Sequence, residues 1–155
     1  MLALMGKFGH SLVTALLLAG TWACRAQEPS ASGPASICEI RKNPADYIGK
    51  IVTVSGAYAT DSRHYEYLTD ASCSSENTLA IGFVVPERDA SVQAFEAAQA
   101  AECERTGRRY MCVLEGQATI RGEIAQTKGA HLQPDLVYLV INPHSVLSHS
   151  FRAER

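Results

Sequence analysis

The stretch ICEIRKNPADYIGKIVTVSGAYAT, Ile37 to Thr60, decides the fold. It reads as a short helix from Ile37 to about Arg41, a proline-bearing turn ending in Tyr47, Ile48, Gly49 and Lys50, and then a strand. In that strand Ile51, Val52, Val54 and Tyr58 are apolar, with Thr53, Ser55 and Gly56 between them. From Val52 onward the apolar positions fall two apart, the period of a half-buried strand. Gly56 inside the strand suggests a bulge or sharp bend, as a closing sheet needs.

Working outward, a polar turn at Asp61, Ser62 and Arg63 leads into a second alternating strand, His64 to Thr69. Asp70 to Thr78 is a polar loop carrying Cys73, and Leu79 to Val85 is a nearly all-apolar third strand, expected to be central and buried on both sides. Pro86 ends it. A helix is predicted from about Arg88 to Arg105, capped by Asp89 or Ser91 and ended by Gly107. At 3.6 residues per turn, Val92, Phe95, Gln99 and Cys103 share one face of it. A fourth strand runs from about Tyr110 to Ile124, with Cys112, Leu114, Gly116, Ala118 and Ile120 on its core side and Val113, Glu115, Gln117, Thr119 and Arg121 on the other. A polar loop from Ala125 to Pro134 and an apolar fifth strand, Leu136 to Ile141, follow. The polar sequence from Asn142 onward suggests only a short strand or turn near Val146 and Leu147.

The 155 residues suffice for one domain, and 46% apolar against 19% charged residues describes a chain with a core rather than a disordered one. Residues 1–26 have the pattern of an export signal. The apolar run Leu12 to Gly20 is too short to span a bilayer. Cleavage after Ala26 would leave Gln27 as the mature start. The alternative is lipidation at Cys24, but Thr21, Trp22 and Ala23 before it fit a lipoprotein signal poorly, and soluble periplasmic or secreted export is preferred. A retained N-terminal helix is the third reading. Residues 27–36, QEPSASGPAS, read as a disordered linker, 37–147 as the barrel domain and 148–155 as a flexible tail.

Removing residues 1–26 leaves 12 basic and 16 acidic residues, a balance of −4. Phosphate binding rests on a basic footprint, so nucleic acid is a disfavoured partner. Once Cys24 is set aside, Cys38, Cys73, Cys103 and Cys112 form an even set, which suits two disulfides in an oxidising compartment. Three connectivities are open. The preferred pairing is Cys38 with Cys73 and Cys103 with Cys112. The spacing contains no C-x2-C knuckle, which argues against zinc.

The element order is helix, strand, strand, strand, helix, strand, strand. A five-stranded barrel with its main helix between strands three and four is the OB-fold layout. The segment NPADYIGKIVTVSGAYA resembles the opening of exported bacterial OB-like domains, in which a short helix and a proline-bearing turn lead through Y-x-G-K-x-V-x-V-x-G into strand one. The resemblance implies a mainly β barrel and binding at the face of strands two and three and the flanking loops. It implies no particular ligand.

Arg63, His64, Tyr65 and Tyr67 cluster in the first loop and second strand, where aromatic and guanidinium groups could stack on bases or sugars. His64 and Tyr65 point to opposite faces of a strand, so the four cannot all serve one site. Lys128 and His131 lie in the loop between strands four and five, the other candidate ligand loop. No histidine pair has metal-ligand spacing, no serine lies in a G-x-S-x-G context, and no glycine run has dinucleotide or P-loop spacing. Asp61, Glu66 and Asp70 read as turn formers and surface charge rather than an acid–base pair. No catalytic, metal or cofactor residue is therefore assigned. The expectation is an exported binding module for an envelope protein, a peptide or a glycan, with membrane contact only through Cys24. A nucleic-acid-binding domain and a hydrolase built on His64 and His131 are the alternatives.

Overall fold

The computed structural model describes residues 34–73, 78–82, 89–107, 111–128 and 137–153. The signal segment with Cys24, His131 and residues 83–85 of the expected third strand lie outside the described residues. Helix α1 spans Ile37–Lys42 and α2 spans Ala90–Arg105. The strands are β1 (Ile51–Thr60), β2 (Glu66–Thr69), β3 (Thr78–Ile81), β4 (Leu114–Lys128) and β5 (Val137–Ala153). They close in the order β1-β2-β3-β5-β4, antiparallel throughout except where β3 runs parallel to β5. The main helix lies between β3 and β4. This is the mainly β, OB-like barrel with one main helix that the sequence predicts.

The alternation seen from Val52 onward is the barrel interior. Val52, Val54 and Tyr58 point inward with Leu68, Leu79, Ile81, Leu114, Ala118, Ile120, Ile124 and Ile141. Ser36 and Glu39 form a reciprocal capping box that starts α1, which buries Ile37 and Ile40 completely. Gly49 takes a positive φ of 78°, which lets the turn after Tyr47 swing back so that its N–H donates to the Ile124 carbonyl at 2.8 Å. Both preferred disulfides form, Cys38–Cys73 and Cys103–Cys112. The first ties α1 to the loop after β2, and the second ties the end of α2 to the approach to β4. Each closes a loop of the unfolded chain and contributes about 2–4 kcal/mol.

Helix α2 packs on β5 along the inner face predicted from the sequence, with Val92 and Phe95 buried. Asp89 is its cap, accepting from the Ser91 N–H. Two side chains of the helix satisfy backbone groups of β5: the Val146 N–H donates to Ser91 Oγ (2.9 Å) and the Ala153 N–H to Glu102 Oε1 (3.0 Å). Hydrogen bonds from Arg105 and from the Ala153 N–H hold the Glu102 carboxyl at about 2. The helix thus covers what would otherwise be an open strand edge.

Several boundaries differ from expectation. Gly56 makes no bulge, since β1 and β4 stay in register from Ile51 to Thr60. A Cβ there would meet the Thr69 carbonyl oxygen at 2.5 Å, so the glycine admits a close backbone approach. Strand β2 begins at Glu66 rather than His64, because Asp61 draws the amides of residues 63–65 into a turn. Strand β3 alternates instead of burying both faces, with Leu79 and Ile81 inward and Thr78 and Ala80 half-buried. Strand β4 continues through Lys128, and β5 extends through Ala153, where a loop and a flexible tail are expected. The β4–β5 ladder contains two register shifts, between Thr119 and Ile120 and between Arg121 and Gly122, which break the period-2 pattern, and Pro143 sits beside the second. Pro34 and Ala35, expected in the disordered linker, bridge to Thr53, with the Ala35 N–H donating to the Thr53 carbonyl (2.9 Å). Among the described residues no helix is long and apolar enough to cross a membrane.

Candidate functional site

An open groove of about 550 Å³ lies on the outside of the barrel. The register builds it from two cross-strand rows. Thr69, Ala57, Gln117 and Ser150 are successive partners across β2, β1, β4 and β5, and so are Tyr67, Ala59, Glu115 and Arg152. Residues two apart share a strand face, so both rows stand on the outer surface. The alanines keep the floor low. Tyr67 forms one wall, with the Tyr65 ring 5.2 Å away and tilted by 32°. At the other wall Arg152 and Glu115 approach to 4.0 Å. Gly116 lies in the floor between the rows.

Beneath the groove lies a polar cluster inside an apolar shell. Tyr58 packs against Phe95 (5.4 Å) and Phe151 (5.2 Å), while its hydroxyl donates to Glu66 Oε1 at 2.7 Å. Gln99 Nε2 on α2 donates to the same hydroxyl oxygen (2.5 Å) and to Glu66 Oε1 (2.9 Å). Burial pushes the Glu66 carboxyl above its ordinary value, and Glu96 pushes the same way, outweighing the bonds from Tyr58 and Gln99. Burial and the neighbouring carboxylate also push the Tyr58 phenol up. Glu66 is thus a half-buried link between barrel and helix, not the surface charge its sequence context suggests. The signal was its parity with Leu68, together with Gln99 on the inner face of α2.

A carboxyl raised in the native state keeps a proton that the unfolded chain has already released. The stability it contributes is complete below the unfolded value of about 4.5 and is lost as pH rises through the raised native one. Glu66→Gln stays neutral and keeps the Oε1 acceptor. It should melt increasingly above the parent as pH climbs from 4.5 to 7, with a gain of ~1 kcal/mol at neutrality. Parallel melting curves across that range would show that the carboxyl does not titrate differently on folding.

Of the residues singled out from sequence, Arg63, His64 and Tyr65 lie in the β1–β2 loop, and Tyr67 follows on the outer face of β2. The loop is organised by Asp61. Its carboxylate accepts from the N–H groups of Arg63 (2.9 Å), His64 (2.6 Å) and Tyr65 (3.2 Å), and its second oxygen lies 2.7 Å from His64 Nδ1. Burial pushes Asp61 up, but these bonds outweigh it and hold the carboxyl well below the usual range. His64 is thereby oriented with Nε2 outward. The adjacent Ser62 hydroxyl is committed to the Cys112 carbonyl (2.7 Å) rather than turned toward the imidazole. Lys128 stands at the far end of β4 from Leu114, whose partner is Thr60 at the mouth of this loop, so it is not brought to the same place.

Cys38, Asp70 and Cys73 come close enough to suggest a metal, but the two sulfurs are joined to each other and are not free thiolates. The groove lies over β1, β2, β4 and β5, whereas the resemblance points to the face of strands two and three. Of the two rows, the residues missed are Ala57, Ala59, Thr69, Glu115, Gln117, Ser150 and Arg152. The outward parity of Glu115 and Gln117 was readable, but their adjacency to Ala57 and Ala59 is a matter of register. No protein-family model matches the chain, and no curated protein or solved structure matches it.

Proposed function

We propose that this protein is an exported, disulfide-braced binding module that seats an extended ligand in the outer groove. The observation that carries the reading is the pair of cross-strand rows, which set a low alanine floor between an aromatic and a polar wall. Ligand sites are typically concave, with apolar surface and a few placed polar groups. Export is supported by the signal-like residues 1–26 and by the two bridges, since disulfides form and persist in oxidising compartments.

The test is an NMR titration of the exported protein with a set of small polar fragments, after an intact-mass measurement. The mass should correspond to a start at Gln27, lighter than the reduced chain by two hydrogens per bridge. A start at Cys24 carrying acyl chains would make the module a tethered one. Fragment-induced shifts should cluster at Ala57, Ala59, Tyr67 and Gln117, and Ala59→Trp, which fills the groove without touching the inward faces, should abolish them. Shifts that cluster elsewhere and survive Ala59→Trp would overturn the groove as the ligand seat.

A further inference from the structure

We infer that the groove takes an uncharged oligosaccharide, an assignment that rests on the groove being the ligand seat. One wall is aromatic. The Tyr67 ring on β2 lines the groove, and the Tyr65 ring, in the turn just before β2, lies 5.2 Å from it and is 41% exposed. A flat aromatic ring matches the C–H face of a pyranose. The opposite side is polar without being charged overall. Gln117 and Ser150 offer donors and acceptors side by side, the pattern that neighbouring sugar hydroxyls present. Glu115 and Arg152 sit 4.0 Å apart and offset each other's charge.

The other ligand chemistries fit less well. A phosphate chain needs several cations to displace its counterions, and the one arginine lining this groove faces a carboxylate. A peptide binding as an added strand needs an open sheet edge, but β2, β1 and β4 under the groove are paired on both sides, and the far side of β5 gives its Val146 and Ala153 N–H groups to α2. The groove crosses four strands, a span of ~14 Å at the usual inter-strand spacing. That suits a short oligomer better than a single sugar.

The experiment is a titration of the isotope-labelled full chain with triacetylchitotriose, maltotriose and cellotriose, beside a neutral octapeptide and a hexathymidylate. At least one trisaccharide should shift the amides of Ala57, Ala59, Tyr67 and Gln117. Tyr67→Ala should weaken that binding about tenfold, while Tyr67→Phe, which keeps the ring, stays within about twofold of the parent. No groove shift from any of the three sugars at ~10 mM overturns the inference, and so does an unchanged affinity in Tyr67→Ala. Groove shifts from the peptide or the oligonucleotide alone overturn the sugar assignment and leave the groove standing as the seat. Sugar shifts away from the groove that persist in Ala59→Trp overturn both.

Discussion

Tyr58→Ala should lower the free energy of unfolding by about 3–5 kcal/mol, among the largest losses expected from one side chain in this domain. The ring is 1% exposed and contacts Phe95 on α2 and Phe151 on β5, so its removal opens a cavity where helix and barrel meet. The lost hydroxyl adds to this, because Glu66 would lose its 2.7 Å donor and Gln99 one of its two acceptors in a half-buried setting. The contributions separate experimentally. Tyr58→Phe keeps the ring and should cost ~1–2 kcal/mol, and less when Glu66→Gln has already removed the charge. Urea denaturation of the two single mutants and their double mutant measures the coupling. A Tyr58→Phe cost that is the same in both backgrounds would mean that the hydroxyl does not serve the carboxylate.

That cluster also shows what could be read from the chain alone. The barrel was legible because Val52, Val54 and Tyr58 repeat at period 2 and because Leu114, Ala118 and Ile120 do the same on β4. The inner face of α2 was legible from the 3.6-residue spacing of Val92, Phe95, Gln99 and Cys103. Periodicity reports which side of an element is buried, and it is silent on register. The groove depends on Ala59 lying between Tyr67 and Glu115, with Arg152 one strand beyond, and no local pattern fixes that alignment. The end of β5 was hidden for a related reason. Ser148, His149 and Ser150 are exposed although they are paired with β4, so their polarity resembles that of a tail. The reversal at Glu66 is energetic. A carboxylate on a core-parity position reads as surface charge unless a neutral donor such as Gln99 arrives from another element.

The close approach of β5 to Gly116 predicts the second large effect. A Cβ at this position would lie 1.8 Å from the Ser150 carbonyl oxygen, 2.8 Å from the Ser150 carbonyl carbon and 3.2 Å from the Phe151 Cα. All three are backbone atoms, so no rotamer change relieves the overlap. Either β5 retreats and weakens its ladder with β4, or the α2 contacts made through Phe151 are lost. Gly116→Ala should therefore cost more than ~4 kcal/mol or yield no folded protein, since only disruption of packed backbone reaches that range for one added methyl group. Gly107→Ala is the informative contrast. It also places a side chain where φ is positive (71°), but nothing lies within 4 Å of the new Cβ. Its cost should be limited to left-handed backbone strain, about 1 kcal/mol. Denaturant midpoints for the two variants, with unchanged slopes, rank the effects directly. If Gly116→Ala proves no worse than Gly107→Ala, then β4 and β5 do not approach closely at the point where the floor of the groove is formed, and the depth of that groove has been misjudged with them.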